Sequence, residues 1–183
     1  MSITPGTYSF GPENATLAVN TARTGAAAKA GHNLLIHVTS WEGTLEVGEG
    51  PGQTSIVLSA DATSLRVREG TGGMQALGED DKANIQQTID DEVLQGIPIE
   101  FRSTEVEQVD DGSRLKVQGE LSLAGQTNPI AFELAVGGDG ALSGGATVTQ
   151  TDWGIQPYST LFGALKVVDD VEVAIEATLA KPS

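Results

Sequence analysis

His32 and His37 are the only histidines in the sequence. In a continuous strand this odd spacing turns them to opposite faces, so they cannot share a metal ion. No carboxylate stands at a tight ligand spacing from either one. The expected role of each is therefore structural, with a ligand contact ranked second and metal binding last. The pairs Asp80-Asp81, Asp90-Asp91, Asp110-Asp111 and Asp169-Asp170 invite calcium or acid/base chemistry. None follows the spaced calcium-loop pattern, and adjacent side chains diverge in helix or strand. Most fall where turns and helix starts use acidic residues. There is no cysteine, which excludes disulfides, zinc-thiolate sites and thiol catalysis. There is no Gly-x-Ser-x-Gly element, and Gly70-Thr71-Gly72-Gly73 lacks the Lys-Ser/Thr of a phosphate-binding loop. Nothing here supports catalysis, so the expectation is a binding or structural protein with no metal and no cofactor.

Composition narrows the partners. The chain has 183 residues, enough for one domain with a substantial core. Its net charge of −15 argues against nucleic acid, whose phosphates need clustered Lys and Arg. The same charge disfavours anionic lipid surfaces and favours solubility. No apolar run approaches the roughly 20 residues that cross a bilayer, so no membrane insertion is expected. Residues 1–6 show no basic region followed by an apolar core, so the expected location is cytoplasmic. Asn14-Ala15-Thr16 matches a glycosylation sequon, as short motifs often do by chance.

The clearest local pattern lies between Arg114 and Val136. Leu115, Val117, Gly119, Leu121 and Leu123 share one parity, and charged or polar residues share the other. The alternation resumes with Ile130, Phe132, Leu134 and Val136 after a loop expected over Ala124–Pro129. A period of two places successive side chains on opposite faces of a strand, so this is a hairpin with one apolar face. Similar alternation marks strands near 7–10, 16–23, 34–47, 55–60, 64–67, 99–106, 141–150 and 171–179. Gly43 reads as a bend in the long strand 34–47. One long helix is expected over 79–94, with Ile85, Ile89 and Val93 as its apolar stripe and Gly96 and Pro98 beyond its end. A short helix is expected near 25–30. Consecutive antiparallel strands with one wet face can close into a barrel, and at about eight strands the interior is filled or holds one small ligand. The whole chain reads as a single domain.

Four segments carry a resemblance to a known family. They are Gly31-His32-Asn33-Leu34 leading to Trp41-Glu42-Gly43, Pro98-Ile99-Glu100-Phe101-Arg102-Ser103, Gly119-Glu120-Leu121-Ser122-Leu123-Ala124-Gly125, and Asp152-Trp153-Gly154 with Val168-Asp169-Asp170-Val171-Glu172-Val173. In order and spacing they resemble the YceI-like family of extended lipocalin-like barrels. The stretches 26–32 and 157–166 look more like a separate soluble branch, such as that found in actinobacteria. The resemblance implies an all-β, antiparallel lipocalin-like barrel.

The candidate interior residues of the hairpin are Val117, Leu121, Leu123, Ile130, Phe132 and Leu134. Phe101, Trp153, Tyr158 and Phe162 join them as candidate ligand contacts. The last three sit in the apolar segment 153–167, which either lines a tunnel or corks the barrel. The expected function is non-catalytic binding of an elongated apolar molecule, isoprenoid- or lipid-like. The alternative is a packed barrel that serves as an interaction module, for example as a homodimer.

Overall fold

Apolar–polar alternation produces strands along the whole chain. The structure is a computed structural model that describes residues 3–50, 52–73, 76–160 and 165–179. Its strands are β1 (Gly6–Phe10), β2 (Ala15–Thr21), β3 (Arg23–Thr24), β4 (Asn33–Val38), β5 (Trp41–Val47), β6 (Thr54–Ala60) and β7 (Leu65–Thr71). They continue with β8 (Ile99–Val109), β9 (Arg114–Leu123), β10 (Gln126–Val136), β11 (Ala141–Thr149), β12 (Ser159–Thr160), β13 (Leu165–Val167) and β14 (Asp170–Thr178). Among the described residues, eleven pair antiparallel in the order β1-β5-β6-β8-β9-β10-β11-β14-β2-β4-β7. A small second sheet has the order β12-β13-β3.

The eleven segments make eight long strands, because three of these are bent. β1 runs on into β2, β4 into β5, and β6 into β7. β4 pairs with β2 and β7, while β5 pairs with β1 and β6. The two ends of the sheet therefore meet through the bends, and the wall curls round as a barrel. This agrees with the expected fold class and reconciles its strand count of about eight with the larger number of ladder segments.

The bend in 34–47 falls at Thr39-Ser40, not at Gly43. Thr39 N donates to Ser64 O at 2.9 Å and Asp61 N to Ser40 O at 3.0 Å, which ties the two neighbouring bends together. Gly43 is instead buried within β5, opposite Phe10 and Leu58. In the β6–β7 bend, Asp61 Oδ1 accepts from the Thr63 backbone N–H at 2.9 Å and from its hydroxyl at 2.8 Å. The backbone bond first, then the hydroxyl, holds this carboxyl below its ordinary 3.8. A depressed folded value stabilises above the unfolded pKa and is lost as pH falls through the folded one. Asp61→Ala is thus expected to destabilise at neutral pH, with the deficit shrinking on the acid side of 3.8. Urea unfolding at several pH values checks this, and a pH-independent deficit excludes the carboxylate as its source.

The long helix forms where expected, as α1 (Glu79–Thr88) continued by a π turn over Ile89–Val93. Glu79, Asp80 and Asp81 occupy its positive N-terminal turn, and Asp81 Oδ2 accepts from Gly78 N at 3.1 Å. Gln95 and Gly96 adopt positive φ and stop it. The helix covers the edge of β7, where Val67 N donates to Gln86 Oε1 at 2.9 Å. The short helix near 25–30 is only a 3-10 turn over Ala28–Ala30, because Gly25 and Gly31 leave too few residues to propagate more.

The β9–β10 connection is shorter than the expected loop. Ala124 (φ 50°) and Gly125 (φ 82°) form a two-residue turn, and pairing resumes at once with Gln126 opposite Leu123. Pro129 lies inside β10, opposite Glu120. Its missing N–H points away from β9, and β11 does not pair with β10 until Glu133, so no ladder bond is lost.

Candidate functional site

The barrel is packed at one end and hollow at the other. Leu45, Leu115 and Val117 are each less than 2% exposed and fill the closed end. Beyond them lies a cavity of about 590 Å³. Its walls come from the inward parity of the strands: Leu17 and Val19 from β2, Ile36 from β4, Ile56 and Leu58 from β6. The hairpin contributes Leu121, Leu123, Ile130, Phe132 and Leu134, and β8 contributes Phe101. Ile85, Ile89 and Val93 border the cavity from the helix, so its apolar stripe faces the hollow.

Phe101 and Phe132 meet inside with ring centroids 5.4 Å apart and planes tilted by 55°. The Phe101 ring lies over Gly119, where a Cβ would fall 2.6 Å from Phe101 Cζ. That close approach explains a glycine at an apolar-parity position of a strand.

The sequence-predicted residues separate into three groups. Phe101, Leu121, Leu123, Ile130, Phe132, Leu134 and Tyr158 border the cavity. Tyr158 does so from the outside edge, since it is 48% exposed. Val117 and Trp153 do not border it. Val117 shares the parity of Leu121 but sits deeper, in the packed end. Trp153 is buried with Val148 and Ile155 in a second cluster against Leu121, Leu123 and Ile130. Its indole N–H donates to Leu121 O at 2.9 Å, and Asn128 Nδ2 donates to Asp152 O at 2.7 Å. This cluster sits beside the part of β10 that β11 leaves unpaired. Phe162 lies outside the described residues.

His32 borders the cavity, whereas His37 does not. Gln150, which is buried and donates through Nε2 to Val168 O at 3.2 Å, is a polar group in the wall. Among the described residues, no helix is long and apolar enough to cross a membrane.

The sequence profile of the YceI-like domain matches residues 8–179. This chain belongs to the YceI-like family. Solved structures with similar folds include BcnA of Burkholderia cenocepacia, at 11% identity and a TM-score of 0.65, covering 91% of this chain and 96% of that one. The YCEI protein of Campylobacter jejuni is 16% identical with a TM-score of 0.52, covering 80% and 85%. A polyisoprenoid binding domain from Saccharophagus degradans is 8% identical with a TM-score of 0.54, covering 97% and 100%. At these identities the likeness is one of fold. A comparison with curated proteins finds no match.

Sequence reasoning missed part of the wall of this YceI-like barrel. Leu17, Val19, Val173 and Ile175 had the right signal, because each lies on the apolar parity of its strand. Arg23 and Gln150 continue the parity of Leu17-Val19-Thr21 and Ala146-Val148 and were hidden only by their polarity, whereas Lys166 had no such signal.

Proposed function

We propose that this protein binds an elongated apolar small molecule, isoprenoid- or lipid-like, inside the barrel and without chemistry. The observation that carries this reading is the unfilled apolar hollow of about 590 Å³ beyond the packed end. Protein interiors are otherwise close-packed, and a hollow of this size falls in the range of small-molecule sites, roughly 300–1,000 Å³. Removing an apolar chain from water contributes about 25 cal/mol per Å², which needs no charged or covalent anchor. A neighbour in fold that is described as a polyisoprenoid binding domain supports the same class of ligand. A packed interaction module needs a filled interior, and the cavity gives it no support.

Native mass spectrometry before and after organic extraction tests the reading, together with titration of a neutral fluorescent apolar probe. Phe132→Trp adds volume in the middle of the cavity, so it is expected to weaken probe binding about tenfold or more. Thermal unfolding of the variant should change little, because the extra ring enters space that is already open. A protein that carries no lipid and takes up no apolar probe overturns the proposal.

A further inference from the structure

The charge lining the cavity is opposite to the charge of the chain. The sequence holds 25 Asp and Glu against 10 Lys and Arg. Among the described residues that border the cavity, none is Asp or Glu, yet Arg23, Lys166 and His32 are there. Two of them, Arg23 and His32, meet at one place. Arg23 lies in β3, which pairs with β13 so that Val167 stands opposite Arg23 and Lys166 opposite Thr24. Arg23 and His32 sit beneath one turn, Gly72-Gly73, with φ of 79° and 75°. A Cβ on Gly72 would meet the Arg23 guanidinium, and a Cβ on Gly73 would meet the His32 imidazole. Only glycine lets the chain pass this close in that conformation.

Arg23 is held by neutral acceptors. Its Nε donates to Ala28 O, and its Nη1 donates to Asn33 Oδ1 at 3.1 Å and Thr71 O at 3.2 Å. Among the described residues no carboxylate stands within ion-pairing distance of Arg23. The guanidinium is therefore oriented but not neutralised, half-buried beside an apolar hollow. Such a cation is stabilised by an anion that brings its own apolar tail into that hollow.

Resting on the cavity reading above, we propose that the ligand is an amphiphile whose anionic head group, a carboxylate or a phosphate, is bound at this corner by Arg23, with His32 beside it. The planar guanidinium fork suits either anion, whereas an alcohol or quinone head gains no charge-assisted bond. The net charge of the chain repels anions at long range, so a preference for them measures the local site.

The test is competitive displacement of neutral 1-aminoanthracene by oleate, oleyl phosphate and oleyl alcohol at one ionic strength. At least one of the two anions is expected to bind about tenfold or more tightly than oleyl alcohol, and the pair tells which head group is preferred. Arg23→Gln should bring that ratio close to one, and Arg23→Lys should restore part of it. Equal affinity of the three lipids for the wild-type protein overturns the head-group inference while leaving the cavity reading intact. A ratio that survives Arg23→Gln removes Arg23 from the site and overturns it too. If none of the three displaces the probe, the cavity reading fails and this inference fails with it.

Discussion

Leu115→Ala is expected to lower the unfolding free energy by about 3–5 kcal/mol, against about 1–1.5 kcal/mol for Leu123→Ala. The two residues share one strand and one parity, so their local environments look alike in sequence. Their depths differ. Leu115 has no exposed surface and packs in the closed end of the barrel. Its truncation opens a void that neighbouring side chains cannot fill, which adds a cavity penalty to the lost transfer energy. Leu123 already borders the hollow. Truncating it enlarges an existing space and loses contacts on one side only. Urea unfolding of both variants, with unchanged m-values, measures the contrast. Equal costs would mean that both ends are packed alike, and the binding proposal would lose its cavity.

Gly119→Val is expected to cost about 2–3 kcal/mol and to change the cavity as well. The strand neighbours leave no space for a side chain there. A Cβ would collide with the Arg102 carbonyl oxygen, which belongs to the ladder and cannot move alone. The other obstacle is the Phe101 ring, which can yield only by turning toward Phe132 and the hollow. The variant should therefore be less stable and bind apolar probes more weakly. Unfolding curves and probe titrations on the same preparation check both parts. A variant within about 0.5 kcal/mol of the wild type would show that the ring does not need the glycine.

Some of this architecture is legible in residue order. The parity of 114–136 puts Leu121, Leu123, Ile130, Phe132 and Leu134 on one face, and all five border the cavity, because a strand must alternate its side chains. The stripe of Ile85, Ile89 and Val93 identifies the inner face of the helix for the equivalent reason at the helical period. Turn geometry is less legible. Asn128-Pro129 reads as a loop, yet it lies within β10, because β11 leaves that edge free until Glu133. Gly43 reads as a bend, yet hydrogen bonds at Thr39, Ser40, Asp61 and Ser64 place the bend elsewhere. Trp153 reads as an interior aromatic, yet its N–H is drawn to the Leu121 carbonyl outside the cavity.

The sequence by itself determined which side of each strand is apolar, because that depends on Cβ directions repeated every second residue. It also excluded thiol chemistry and disfavoured nucleic acid as a partner, through its lack of cysteine and its charge of −15. Only the tertiary structure decided that Val117 fills the barrel while Leu121, on the same parity, borders a hollow. Filling is a sum of side-chain volumes from strands far apart in the chain, and no local period records that sum. The meeting of Arg23 and His32 beneath Gly72-Gly73 has the same origin, since the pairing of β4 with β7 brings together residues some 40–50 positions apart.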